Sequence, residues 1–165
     1  MFAQVHSQRN LVHMNFVAPL ISVRSLCCLA FALLSLIGHA GSAQEAEAAA
    51  LALASDQENS GYMFRAEVWV GALNKDIGKA VRVQLFKGSE YCIGVAVPRG
   101  SGIHITGSVL DLDARPVGEI QPVLDGWGYL LFFKPKKTGV YVVTVREADT
   151  GKKGATSCAI VTGYK

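Results

Sequence analysis

The stretch Lys79-Ala80-Val81-Arg82-Val83-Gln84-Leu85-Phe86 places Val81, Val83 and Leu85 on one face and Arg82 and Gln84 on the other. Alternation of period two marks a strand with one buried face. Lys87-Gly88-Ser89 then turns the chain into Glu90 to Val97, and Pro98-Arg99-Gly100-Ser101-Gly102 breaks that run. The same rhythm extends in both directions. Upstream, Phe64 to Leu73 closes on Asn74-Lys75-Asp76. Downstream, Ile103 to Asp111 precedes a turn at Asp113-Ala114-Arg115-Pro116, and a weaker strand, Val117 to Val123, enters Leu124-Asp125-Gly126-Trp127-Gly128. Tyr129 to Lys134 is apolar on both faces, as a strand between two layers would be. Pro135-Lys136-Lys137-Thr138-Gly139 separates it from Val140 to Arg146, where Tyr141, Val143 and Val145 share a face. A hairpin turn over Asp149 to Gly154 leads to the last run, Ala155 to Tyr164. Seven or eight strands within about 105 residues predict an all-β fold, a two-layer antiparallel sandwich over 61–165.

Upstream of residue 60 the character changes. Gln44 to Asn59 is rich in Ala, Leu and Glu, which favours helix. Leu51 and Leu53 define no apolar stripe, so a short helix or frayed lead-in is expected over 44–60, ended by Ser60-Gly61. Before that, Leu26 to Ile37 is an uncharged apolar run with Arg24 just upstream and Gly41-Ser42-Ala43 just downstream. A positive flank, a short apolar stretch and a small-residue exit are the parts of a secretory signal peptide. A bilayer span needs roughly 20 apolar residues, and Arg24, Ser25, His39 and Gly41 bound this run short of that. The reading is a leader over 1–43, cleaved after Ala43, with Met14 as an alternative start. The expected product is secreted or periplasmic, with no stable membrane span once the leader is removed.

The chain of 165 residues is 50% hydrophobic and 18% charged, with a formal net charge of +3. Those totals suit one globular domain. The charge is too small, and the Lys and Arg residues too scattered, to imply a nucleic-acid partner.

Trimming the leader leaves Cys92 and Cys158 of the four cysteines. In an oxidising compartment two thiols in a small domain are more often joined than free. A Cys92–Cys158 disulfide is therefore expected, closing a loop worth roughly 4 kcal/mol by chain entropy. The other reading is a pair of buried, reduced thiols. Two cysteines and one remaining histidine fall short of a zinc ligand set, and no Cys-x-x-Cys redox spacing occurs.

The order Val83-x-Leu85-x-Lys87-Gly88-x-x-Tyr91, then Val109-x-Asp111 with a turn and Val117, then Phe133-x-Pro135-x-x-Thr138-Gly139-x-Tyr141-x-Val143-x-Val145 resembles the bacterial pre-peptidase C-terminal domain. The resemblance covers Lys79 to Tyr164. It implies a small jelly-roll-like sandwich on a secreted protein, with roles in secretion, substrate or surface binding, and sometimes calcium. No protease or other catalytic domain accompanies it here, so the accessory role would have to stand alone.

Few residues suggest chemistry. His104 is the one histidine after the leader, and a serine triad would need it with Ser101, Ser108 or another serine, yet no Gly-x-Ser-x-Gly elbow occurs. Asp111, Asp113, Glu119 and Asp125 lie near strand ends. Asp111-x-Asp113 offers two oxygen donors toward calcium, although Asp in a turn ordinarily accepts backbone hydrogen bonds. No other cofactor is expected. Trp127, between two glycines, and nearby Tyr129 are the candidate binding aromatics, for a sugar ring or a protein partner. The alternative for Trp127 is a lid on the end of the core. Lys134, Lys136, Lys137, Lys152 and Lys153 make two basic turns that suit anionic lipid or polysaccharide, or simply solubility. The expectation is a non-catalytic binding or accessory module whose partner is an envelope protein or polysaccharide. An envelope structural component assembling through a sheet face is the alternative, and a small hydrolase ranks last.

Overall fold

The structure, a computed structural model, describes residues 42–165. The leader expected over 1–43 therefore lies outside the described residues, apart from Ser42 and Ala43. These two open a helix, α1, over 42–58. Ten strands follow: β1 (Met63–Phe64), β2 (Trp69–Leu73), β3 (Lys79–Leu85), β4 (Tyr91–Ala96), β5 (Ile103–Leu110), β6 (Pro116–Val117), β7 (Glu119–Pro122), β8 (Gly128–Phe133), β9 (Gly139–Gly151) and β10 (Thr156–Tyr164).

They form two antiparallel sheets. One has six strands in the order β1-β10-β4-β8-β7, with β2 pairing the same edge of β10 as β1. The other has four, in the order β3-β9-β5-β6. The described residues are mostly β, as the strand pattern predicts, with one α-helix at their N-terminal side. Two expected strands are divided. Phe64 to Leu73 breaks at exposed Ala66 and Glu67, and Val117 to Val123 splits at Gly118, where the chain crosses from one sheet to the other with φ 84°. A positive φ of this kind suits glycine.

Alternation decides which side chains meet between the sheets. Tyr91, Ile93 and Val95 of β4, Tyr129 and Leu131 of β8, and Cys158 and Ile160 of β10 face Ile105, Val109, Tyr141, Val143 and Val145 of the smaller sheet. The odd and even positions of β4 are both buried because α1 covers the outer face. Its stripe is Ala46, Ala49, Ala50, Leu53 and Ala54, packed on Cys92, Ala96, Leu130, Ala159 and Val161. The spacing i, i+3, i+4, i+7, i+8 is that of an amphipathic helix. Small residues on both sides let helix and sheet approach closely. A Cβ at Gly94 would sit 2.9 Å from Val161 Cγ2 and 3.6 Å from Leu53 Cβ. The lead-in is thus an integral third layer rather than a frayed end, and its stripe is built from alanine. Among the described residues no helix is long and apolar enough to cross a membrane.

Candidate functional site

One end of the sandwich gathers the β3–β4, β5–β6 and β8–β9 loops. Side chains bonded to backbone hold each of them. The Tyr91 hydroxyl accepts the Phe86 N–H at 2.9 Å, and the Thr138 hydroxyl accepts the Lys87 N–H at 3.0 Å, tying two loops together. The Tyr141 hydroxyl donates to the Lys137 carbonyl at 2.8 Å, which fixes the lysine-bearing turn from within the core. In the β5–β6 loop, Asp111 Oδ1 accepts the N–H groups of Asp113 and Arg115, each at 2.9 Å. Arg115 also pairs with Asp113 and lies 3.4 Å from Asp111 Oδ2. The Arg115 N–H foremost, with the Asp113 N–H and the guanidinium adding to it, holds the Asp111 carboxyl below the usual carboxylate range.

Between the β5–β6 and β8–β9 loops opens a cleft of about 480 Å³. Val117 and Phe133 lie at its base, where Phe133 meets Tyr141 edge-on at 5.2 Å. One wall carries Asp113 and Arg115, the other Lys136 and Lys137. Many of the residues that carry the family resemblance meet at this end. Tyr91, Thr138 and Tyr141 brace the loops, while Asp111, Val117 and Phe133 line the cleft. Sequence reasoning saw the basic turn and the Asp-x-Asp turn separately. It missed that strand order sets them across one cleft.

The aromatic and histidine candidates fall elsewhere or inside. Tyr129 is 1% exposed, and its hydroxyl donates to the Thr144 carbonyl at 2.7 Å across the sandwich. It belongs to the core, and the expectation of a binding surface there is corrected. Trp127 lies at the opposite end, partly buried against both hydrophobic clusters, with the Arg99 guanidinium 4.4 Å from its ring centre. That is the lid arrangement. His104 lies at this second end too, against Gly126 and Gly151, where a Cβ on either would crowd its ring. Of its candidate serines, Ser108 is paired with the Thr144 hydroxyl at 3.0 Å, and Ser101 accepts the Ile103 N–H at 3.2 Å.

The expected disulfide is overturned. Cys92 and Cys158 are free and buried. They lie on neighbouring strands, but Gly163 is the residue opposite Cys92. Cys92 points toward α1, whereas Cys158 points between the sheets. With roughly 3.3 Å per strand residue, they are separated along the strands as well as by face, and a disulfide needs close, facing Cβ atoms. Burial pushes the Cys92 thiol up to about 12 and the Cys158 thiol up to about 11. Such thiols are inert at neutral pH.

For calcium, Asp111 Oδ1 is already engaged by two backbone N–H groups, and Arg115 lies against Oδ2 of both Asp111 and Asp113. Among the described residues no three of His, Cys, Asp and Glu come together as a metal-ligand group. A last acidic residue stands apart. Glu147 continues the inward series of β9 after Tyr141, Val143 and Val145, is 8% exposed, and among the described residues neither carboxylate oxygen has a hydrogen-bond partner.

Fold and cleft together define an antiparallel two-sheet β-sandwich backed by one helix, with a preformed cleft between loops at one end. Compared with family models, curated proteins and solved structures, the chain finds no match in any of the three, so no family is identified.

Proposed function

We propose that the chain is a non-catalytic binding or accessory module that acts outside the cytoplasm, in the periplasm or the medium. The observation that carries this reading is the braced end cleft. The buried Tyr141 hydroxyl ties its lysine-bearing loop to the core, Thr138 ties that loop to the neighbouring β3–β4 loop, and Asp111 holds the β5–β6 loop from within. Preorganised loops lower the entropic cost of binding. The jelly-roll-like, pre-peptidase-C-terminal-like assignment is part of the same proposal. In its support, the eight strands of β2-β10-β4-β8 and β3-β9-β5-β6 switch sheets as the chain proceeds at every step but β5 to β6, in keeping with the double-sheet, two-Greek-key winding of jelly rolls. Export rests on the apolar run Leu26 to Ile37. Mass spectrometry of the exported protein tests it. A new N-terminus near Gln44 supports the leader, and an intact residue 1 in the envelope fraction counts against it. The Ser42 hydroxyl accepts the Ser157 N–H at 3.0 Å, so cleavage after Ala43 would remove one contact of α1. For binding itself, the full-length chain is screened against polysaccharides and envelope proteins, and silence across both would reject the module reading.

A second reading has its own observation. Among the described residues nothing covers the outer face of the four-stranded sheet, where Val140 is 42% exposed and Leu112 of the adjoining β5–β6 loop is 66% exposed. A structural envelope component would bury that face against copies of itself. Light scattering separates the two readings, since a strict monomer contradicts assembly.

A further inference from the structure

We propose that the end cleft takes a segment of an acidic polysaccharide, with a uronic-acid ring on its apolar base and the carboxylate toward Lys136 and Lys137. The inference rests on the binding-module reading and names its ligand class. Among the described residues, Lys136 and Lys137 have no ion pair within the cleft or outside it, while the acids facing them are already paired with Arg115. An incoming carboxylate therefore meets two cations that no internal partner neutralises. The opposite wall differs in kind. The charges of Asp111 and Asp113 are partly offset by Arg115, but their carboxylates retain lone pairs that accept hydroxyl groups.

A ligand that suits both walls carries an anionic group on one side and hydroxyl donors on the other. A sugar acid does so. A nucleic acid or polyphosphate would set dense negative charge against Asp113, and a neutral glycan would leave both lysines unused. The recessed base formed by Val117 and Phe133 accepts the apolar face of a ring, whereas a lipid surface is too flat to reach it. Concave, mainly apolar sites with a few convergent polar groups are the usual form of small-ligand sites.

The test titrates the full-length chain with alginate and polygalacturonate, and in parallel with dextran and phosphatidylglycerol vesicles. Two charge-matched double variants accompany it: Lys136→Glu with Lys137→Glu in the cleft, and Lys75→Glu with Lys152→Glu at the other end. All four positions are exposed, and thermal unfolding confirms that each variant folds. The expected result is binding to at least one uronate polymer, weakened roughly tenfold or more by the cleft pair, as loss of charge-assisted contacts implies. The distal pair should change affinity less than about twofold, beyond general screening effects. Equal loss in both pairs, equal affinity for dextran, preference for vesicles, or no binding to either uronate polymer overturns the proposal. Each of those outcomes leaves the module reading standing, because that reading falls only with silence in the broader screen.

Discussion

The Tyr129 hydroxyl passes through the space left by the missing side chain of Gly107. It crosses from the six-stranded sheet to the Thr144 carbonyl on the other, and a Cβ at Gly107 would overlap both the hydroxyl and that carbonyl. Gly107→Ala is expected to destabilise the fold by about 1–3 kcal/mol through overpacking. Tyr129→Phe should cost about 1 kcal/mol, from one lost hydrogen bond with a buried acceptor. Urea denaturation of both, and of the double variant, checks the pair. The double variant should be less destabilised than the sum, because part of the overlap disappears with the hydroxyl.

Glu147 predicts the opposite sign. Its carboxylate is buried with neither oxygen partnered among the described residues, and unsatisfied buried polar groups cost about 1–3 kcal/mol each. Glu147→Met keeps the length of the side chain and removes both oxygens. The denaturation midpoint should rise. A fall would mean that the carboxylate has a role that the surrounding protein atoms do not reveal.

The thiols predict behaviour at high pH. An unfolded thiol ionises near 9.0, whereas Cys92 and Cys158 are held up to about 12 and about 11 by burial. Burial pushes the Tyr62 and Tyr129 hydroxyls up as well. Groups raised in the folded state contribute stability that is present below the unfolded value and lost as pH rises through the folded one. Stability should therefore fall progressively above about pH 9, and Cys158→Ala should flatten that decline. At neutral pH neither thiol should react with iodoacetamide until the chain is unfolded, with no reductant needed to expose them.

Tyr62 and Glu90 predict behaviour in acid. The Tyr62 hydroxyl donates to Glu90 Oε1 at 2.6 Å, and Lys165 Nζ lies 3.5 Å from the same oxygen. The Tyr62 bond foremost, with Lys165 and Lys134 assisting, lowers the Glu90 pKa. A lowered carboxyl contributes stability above its unfolded value that is lost as pH falls through the folded one. Tyr62→Phe should raise the Glu90 titration midpoint, read by carbonyl NMR, and make stability less sensitive to acidification.

Strands with one solvent face were legible from alternation alone. Val81, Val83 and Leu85 of β3 and Tyr141, Val143 and Val145 of β9 are inward, as the pattern predicts. Where both faces are covered the signal vanishes. In β4 every residue is buried, so parity could not tell that Cys92 faces the helix while Cys158, on β10, faces the other sheet. The helix gives a weak sequence signal because its buried stripe is alanine apart from Leu53, while Leu51, the other large apolar residue, is exposed. The cleft lay beyond reach for another reason. Asp113 and Lys136 come to line one cleft only once β5 and β8 are stacked in opposite sheets, and no local pattern encodes that.

Amide chemical-shift mapping of the isotope-labelled chain during an alginate titration tests the proposed site most directly. The account predicts perturbations confined to 111–117 and 133–141, centred on Lys136, Lys137 and Phe133. Shifts centred instead on Arg99 and Trp127 at the far end, or spread without focus over the surface, would contradict it.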